Sequence, residues 1–247
     1  MDLKKELDLA VYAAKKAGDY LRNVNFKEIK VLDDLNKDIK LDVDKNTEKV
    51  IYEVLKESSY GILAEEGGNL KFSESKIKWI VDPLDGTINY YKGIEQNAIS
   101  IGLYDGLTPL LGVVYDYNNS DMYKGIIGEG AWLNNENIIV SDVSSIDKSV
   151  IGIGFPSKID VTEEHLSDFV RKIMKYKKVR CFGCASLSLA YVACGKLEAY
   201  IQDGIKFWDF AGGLAIVVSA GGKFNLEELE GKYNFKIFAR NNSLKEG

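Results

Sequence analysis

The sequence predicts an α/β protein of two packed subdomains, and three observations carry that expectation. The first 55 residues hold two amphipathic helical stretches, residues 97–140 hold closely spaced short strands, and the chain beyond residue 150 alternates strands with helices. A length of 247 residues with 46% hydrophobic content is ample for a large buried core.

Leu3, Leu7, Ala10, Val11, Ala14, Ala17 and Leu21 share one helical face, so residues 3–22 open the chain as an amphipathic helix. Residues 23–40 are polar, with Asp33-Asp34 and Lys37-Asp38, and read as a loop or mobile hairpin. Asp44 caps a second helix that buries Val50, Ile51, Val54 and Leu55. Residues 60–64 form a short strand delivering Glu65-Glu66 to a Gly67-Gly68 turn, and residues 77–81 form another that runs into Asp82-Pro83-Leu84-Asp85-Gly86-Thr87. Turn signals at Asp105-Gly106, Asn118-Asn119-Ser120, Gly128-Glu129-Gly130 and Asn134-Asn135 divide residues 97–140 into a meandering, mostly antiparallel sheet.

After the polar stretch 141–149 the pattern becomes strand 150–154, helix 162–175, strand 178–182, helix 185–194, strand 197–202, helix 208–220 and a strand near 235–239. Residues 1–143 and 144–247 are the two expected subdomains; no long linker separates them, so they share a cleft.

Composition narrows the function. Net charge is −5, and no basic block interleaved with aromatics is present, which argues against nucleic acid as a partner. No apolar run approaches the roughly 18 residues of a membrane span, and the charged, periodic start is unlike a secretory leader, so the expected location is the cytoplasm. Three cysteines, Cys181, Cys184 and Cys194, suit a reducing compartment. The Cys181-x-x-Cys184 spacing lacks a second pair or a nearby histidine for zinc, and the cysteines read as small buried residues. His165, the single histidine, lies in a charged helical stretch and reads as a solvated surface residue.

The chemistry concentrates in carboxylates. In Asp82–Thr87, Pro83 stiffens the turn, the two aspartates can converge on one point, and Gly86 lets a ligand approach the backbone. All-oxygen donors without histidine or thiolate favour magnesium over zinc. Free N–H groups at Gly86 and Thr87 would receive phosphate oxygens if a turn or helix starts there. Taken alone, these six residues fit a solvated β-turn equally well. Asp209 precedes an apolar helical run and is explained as an N-cap, although a metal ligand at a helix N-terminus would occupy the same position.

The order in which these pieces occur is what separates the alternatives. Asp44-Lys45-Asn46-Thr47-Glu48, then Glu65-Glu66, then Asp82-Pro83-Leu84-Asp85-Gly86-Thr87, then Trp208-Asp209-Phe210-Ala211-Gly212-Gly213 resembles the signature of the inositol monophosphatase superfamily, and most closely its archaeal-type dual inositol monophosphatase/fructose-1,6-bisphosphatases. Residues 180–183 and 190–200 are similar to that family's second-subdomain segment.

The resemblance implies a layered α-β-α-β-α sandwich, the sugar phosphatase fold, and two to three Mg2+ ions per site. By the same likeness Glu65, Asp82 and the Leu84 carbonyl hold one metal, and Asp82, Asp85 and Asp209 a second. Asp44 and Thr87, with Glu65, activate the attacking water. Gly86 and Thr87 cradle the phosphate, while Gly183, Cys184, Ala185, Gln202 and Lys206 contact the substrate. Lys37 and Asp38 would flank the third metal. The implied activity is hydrolysis of a small phosphorylated sugar or polyol, inositol 1-phosphate or fructose 1,6-bisphosphate, by a homodimer in carbohydrate metabolism.

Gln202 stands where inositol-specific members carry glutamate, and Cys184 where serine or threonine is common, which broadens the expected specificity. Two other functions compete: a phosphatase for 3′-phosphoadenosine 5′-phosphate, with the same metal residues, and a non-catalytic metal-binding regulatory module.

Overall fold

The computed structural model describes residues 1–35, 38–155 and 162–244, with the side chains of residues 35 and 38 outside that description. The expectation for Lys37 and Asp38 therefore lies outside the described side chains.

The chain begins with α1 (Leu3–Asn23), whose first turn is closed by Asp2 accepting from the N–H groups of Lys4 and Lys5. A short 3₁₀ turn at Phe26–Glu28 leads into a two-stranded hairpin, β1 (Val31–Leu35) and β2 (Asp38–Leu41), where the sequence suggested a loop or hairpin. Next come α2 (Asp42–Leu55), β3 (Gly61–Ala64), β4 (Gly68–Lys71), β5 (Ile77–Asp85) and the five-residue α3 (Thr87–Tyr91). An antiparallel meander follows, with β6 (Ala98–Asp105), β7 (Thr108–Asp116), β8 (Asp121–Ile126), β9 (Gly130–Leu133) and β10 (Glu136–Ile138). The last part holds β11 (Val150–Ile153), α4 (Glu163–Ile173), β12 (Lys178–Arg180), α5 (Ala185–Ala193), β13 (Ala199–Lys206), α6 (Phe207–Ser219), β14 (Lys223–Glu228) and β15 (Asn234–Arg240).

The strands form an eight-stranded sheet, β10-β9-β8-β7-β6-β5-β3-β4, and a five-stranded sheet, β12-β11-β13-β15-β14. Side-chain alternation along the strands sorts the core into layers. On one face of the larger sheet Trp79, Val81, Ile99, Ile101 and Leu103 pack against Leu7, Ala14, Leu21, Ile51 and Leu55 of α1 and α2. On its other face Ile80, Ala98 and Tyr104 meet α5 and α6, which also cover Tyr200, Phe235 and Ile237 of the smaller sheet. Ile151, Ile153 and Ile201 on the far side of the smaller sheet pack against Ile173 of α4. The order of layers is thus α-β-α-β-α, as expected.

The close fit of α6 depends on glycine. Gly102, Gly112 and Gly125 are paired neighbours across β6, β7 and β8 and form a row beneath the helix. A Cβ at Gly112 would stand 2.2 Å from the Gly212 carbonyl oxygen, and one at Gly212 would stand 2.7 Å from the Val113 carbonyl oxygen. Gly213 faces the other way, where a Cβ would be 2.6 Å from Leu189 Cβ of α5. The Tyr104 hydroxyl donates to the Ala211 carbonyl at 2.8 Å and fixes the helix along its length.

Several boundaries differ from the sequence reading. β4 and β14 escaped it because Gly68–Lys71 and Lys223–Glu228 are edge strands with few apolar residues. β13 runs on to Lys206, through an irregularity in its pairing between Asp203 and Ile205. Only Cys184 is buried; Cys181 is exposed and Cys194 intermediate, because Cys181 follows an edge strand instead of entering a core face. His165 is solvent-exposed as expected, yet its Nε2 also lies 3.3 Å from Asp203 Oδ2. Among the described residues no helix is long and apolar enough to cross a membrane.

The glycine row makes a direct prediction. Gly112→Ala is expected to destabilise the protein by about 3 kcal/mol, the upper end for forcing an extra methyl group into a packed core. Chemical denaturation would show it as a lowered midpoint, and an unchanged midpoint would mean that α6 can lift off the sheet without cost.

Candidate functional site

Asp82 and Asp85 are three residues apart on β5, so strict alternation would send them to opposite faces of the sheet. The pairing shows how they come together. Asp82 stands opposite Ser100 and Asp85 opposite Ala98, so three steps on β5 match two on β6. This one-residue bulge at the Pro83-Leu84 step re-aims Asp85 to the side of Asp82. The Asp82 carboxylate accepts from the Leu84 N–H at 3.0 Å, and the Thr87 hydroxyl donates to the Leu84 carbonyl at 3.0 Å. Gly86, with φ of 88°, is the residue that starts α3, and a Cβ there would stand 2.8 Å from the Gln96 carbonyl oxygen.

Glu65 follows β3, its N–H extending the parallel ladder to the Val81 carbonyl at 3.2 Å. The turn carrying it is held from below: Glu48 accepts from the N–H groups of Glu66 and Gly67 at 2.8 and 3.2 Å, and Lys40 pairs with Glu66 at 3.0 Å. The sequence reading gave Glu48 no role, since a carboxylate serving only backbone donors leaves no pattern of its own.

Asp44 and Asp209 do not occupy the N-cap positions that the sequence suggested. Each sits one turn inside its helix, and its carboxylate reaches back to the N–H of the residue before the helix, Leu41 for Asp44 at 2.8 Å and Lys206 for Asp209 at 3.1 Å. The helices begin earlier because Leu41 and Lys206 are still extended and Asp42 and Phe207 are already helical. Asp85 meets α5 from outside, at the end of β5: its carboxylate accepts from the Ser186 N–H in the first turn of α5 at 2.6 Å and from the Cys184 thiol at 3.0 Å. Three acidic groups thus stand at three helix N-termini, where the peptide dipoles favour negative charge.

Glu65, Asp82, the Leu84 segment, Asp85, Gly86, Thr87 and Asp209 line one cleft of about 470 Å³. Gly183, Gln202 and Lys206 line the same cleft. Cys184 and Ala185 are buried behind it, with Cys184 turned onto Asp85. Asp44 is buried close enough to Glu65 to act on its charge. The Gln202 amide oxygen accepts from the Tyr200 hydroxyl, and Lys206 Nζ donates to the Lys232 carbonyl at 3.2 Å. Ile88, Phe155, Gly204, Glu230, Gly231 and Asn234 complete the lining; the sequence reading missed them because, apart from Ile88 beside the Asp82–Thr87 motif, they come from strand ends and a hairpin turn without a motif.

Burial raises the Glu65 carboxyl well above the usual carboxylate range, and repulsion from Asp209, Glu66 and Asp44 adds to it. Asp82 is raised well above that range by burial and by Glu65, Asp85 and Asp209. Asp85 is raised by burial, partly offset by its bonds from Ser186 and Cys184. The Cys184 thiol is itself pushed well up, by burial and then by Asp85, so it stays a protonated donor.

Among the described residues no three acidic, histidine or cysteine side chains already close around a single point as a finished cage. The carboxylates stand around open space. Their chemistry fits a hard cation all the same: every donor is oxygen, and the buried charges repel one another until positive charge offsets them.

The model of the inositol monophosphatase family matches residues 2–237. The chain belongs to that family. Nus factor SuhB of Xylella fastidiosa is 37% identical to it over 224 residues, 89% of this chain and 81% of that one. Inositol monophosphatase 1 of Solanum lycopersicum is 37% identical over 230 residues, 89% and 84% of the two chains. The solved structure of staphylococcal IMPase-II with inositol monophosphate bound is similar to this inositol monophosphatase-family chain with a TM-score of 0.79, at 30% identity, covering 99% of this chain and 90% of the other. The family is generally metal-dependent, and its fold is consistent with phosphatase activity.

The raised carboxyls set a pH dependence for the metal-free protein. Glu65, Asp82 and Asp85 hold protons more tightly folded than unfolded, so their contribution to stability is complete below their ordinary values of 4.5 and 3.8 and is lost as pH rises through the raised folded values. In a chelator, thermal melts from about pH 5 to about pH 8 should therefore show a steeper loss of stability in the wild type than in Asp82→Asn. Equal slopes would mean that the cluster is not under charge strain.

Proposed function

We propose that this protein is a magnesium-dependent phosphatase acting on a small phosphorylated sugar or polyol. The observation that carries the reading is one cleft in which four carboxyl groups, Glu65, Asp82, Asp85 and Asp209, face the left-handed Gly86 turn at the start of α3. Bound inositol monophosphate in the similar staphylococcal protein supports the substrate class.

In this reading Glu65, Asp82 and the Leu84 carbonyl hold one magnesium, and Asp82, Asp85 and Asp209 hold another. When bound, the metal supplies charge neutralisation of the phosphate and acidification of a water. The chain's own residues do the positioning. The Gly86 and Thr87 amides receive phosphate oxygens. Asp44, with its carboxylate steadied by the Leu41 N–H, and Thr87 orient the attacking water from below Glu65. Asp85 is held by the Ser186 amide and the Cys184 thiol, so Cys184 is a positioning residue for the cleft in this chain. Gly183, Gln202 and Lys206 face the leaving sugar, and Ala185 supports the wall from behind.

Lys206 is the cleft's lysine, and a second phosphate of fructose 1,6-bisphosphate is its natural partner. A nucleotide reading, hydrolysis of 3′-phosphoadenosine 5′-phosphate, is favoured by one feature: Phe155, 60% exposed, offers its ring at the cleft wall for a base to stack on. We also take the chain to be cytoplasmic, from its composition, to have subdomains 1–143 and 144–247, from the change in element pattern, and to be a homodimer, as the resemblance implies; light scattering on the purified protein checks the dimer.

Phosphate release from inositol 1-phosphate, fructose 1,6-bisphosphate and 3′-phosphoadenosine 5′-phosphate, with and without magnesium, tests the reading. Magnesium-dependent turnover of the first two is expected, with Asp82→Asn reducing it by roughly two to three orders of magnitude. Turnover of the third alone would move the substrate to nucleotides, and no release at all would leave only a metal-binding module. Lys206→Ala should lower kcat/KM for fructose 1,6-bisphosphate about tenfold more than for inositol 1-phosphate. An equal effect on both would remove Lys206 from the reading of a second phosphate.

A further inference from the structure

A second cavity, of about 450 Å³, opens beside the carboxylate cleft, and the two share Gly231 and Asn234 as a common wall. Its floor is the seam between the sheets. Leu63 and Ile80 come from the larger sheet, and Phe207 and Phe235 from α6 and the smaller one; each is 5% exposed or less. Leu107, 41% exposed, stands among the lining residues on the solvent side. This is the form of a small-molecule site: concave, mainly apolar, with a few charged groups.

Those groups are Lys76, Lys78 and Lys232, against the single acid Glu228. None of the three lysines makes a carboxylate ion pair among the described residues; Lys232 instead lies over the Tyr233 ring at 5.0 Å. The neighbouring cleft has the opposite character, with Glu65, Asp82, Asp85, Asp209 and Glu230 against Lys206. An organic anion is therefore repelled from one cavity and attracted to the other.

The shared wall is the turn between β14 and β15. The Phe207 N–H donates to the Tyr233 carbonyl at 3.2 Å, Lys206 Nζ to the Lys232 carbonyl at 3.2 Å, and Trp208 stands edge-on to Tyr233 at 5.8 Å. Tyr233 has a φ of 55°, a left-handed conformation that a bulky side chain adopts at a cost.

We propose that this cavity is a second binding site, for an amphiphilic organic anion whose apolar body rests on Leu63, Ile80, Phe207 and Phe235 while its carboxylate or sulfonate lies among Lys76, Lys78 and Lys232. The site is independent of the phosphatase reading, and its test requires no turnover.

Calorimetry with naphthalene-2-carboxylate, in a chelator so that no cation draws the probe into the carboxylate cleft, should give saturable binding to the full chain. The double variant Lys76→Gln/Lys78→Gln should weaken it about tenfold, while Lys15→Gln/Lys16→Gln, the same charge change on the exposed face of α1, should leave it unchanged. Naphthalene-2-methanol, neutral and of similar shape, should bind the wild type about tenfold more weakly than the acid. Absence of binding, equal affinity of the alcohol, or equal loss in both double variants would overturn the proposal, whatever the phosphate-release assays show.

Discussion

The seat of α6 between the two sheets is the constraint on which the rest of the structure depends. Its Gly212 face touches the backbone of β7, its Gly213 face touches Leu189 of α5, and its flank carries Phe210 against Phe235 of the smaller sheet. Phe207-Trp208-Asp209 is the first turn of that helix, so the position of the Asp209 carboxylate is set by how deeply the helix sinks into the glycine row. A methyl group at Gly102 or Gly112, which lie under Ala211 and Gly212, would press on the end of the helix that carries Asp209 as well as loosening the core. Fold stability and site geometry are therefore one property here.

A concentration of buried acid groups would ordinarily push such a site apart. Two features hold it together. Asp85 and Asp209 sit at the N-termini of α5 and α6, and buried Asp44 at that of α2, each accepting from a backbone N–H. Glu65 and Asp82 lie on the β3–β5 ladder away from any helix N-terminus, and although Asp82 accepts from the Leu84 N–H, burial with repulsion raises both well above the usual carboxylate range. These two are the carboxyls whose charge most needs a cation, and they stand side by side at the ends of parallel strands.

Much of this was legible in the sequence, for a physical reason that differs from residue to residue. Asp82–Thr87 alone fits a plain turn equally well, and it became readable through its order with Asp44, Glu65-Glu66 and Trp208–Gly213 along the chain. The alternation of strands and helices after residue 150 was readable because buried parallel strands and their covering helices have distinct periods. What escaped were relations between segments. The β5 bulge that puts both aspartates on one side depends on the partner strand β6, which the Asp82–Thr87 motif does not contain. The N3 placement of Asp44 and Asp209 depends on where the preceding strand stops. The family resemblance implied a substrate contact at Cys184, in a position where serine or threonine is common, but the start of α5 turns its thiol onto Asp85.

The same division explains why reaction class reads more easily from this sequence than substrate. The carboxyl wall is built by β3, β5 and α6, elements whose spacing is set by close-packed cores on both sides. The other residues of the cleft come from Phe155, from the Gln202–Lys206 end of β13 that the β15 ladder holds, and from the 229–233 turn, where the geometry rests on single hydrogen bonds such as Lys206 to Lys232 and on a left-handed Tyr233. Side chains that face the cleft from the turn and from Phe155 can be exchanged without threatening the core. A fold of this kind can exchange one leaving group for another while the chemistry beneath it stays in place, so specificity has to be sought on the side of the cleft that the motifs do not cover.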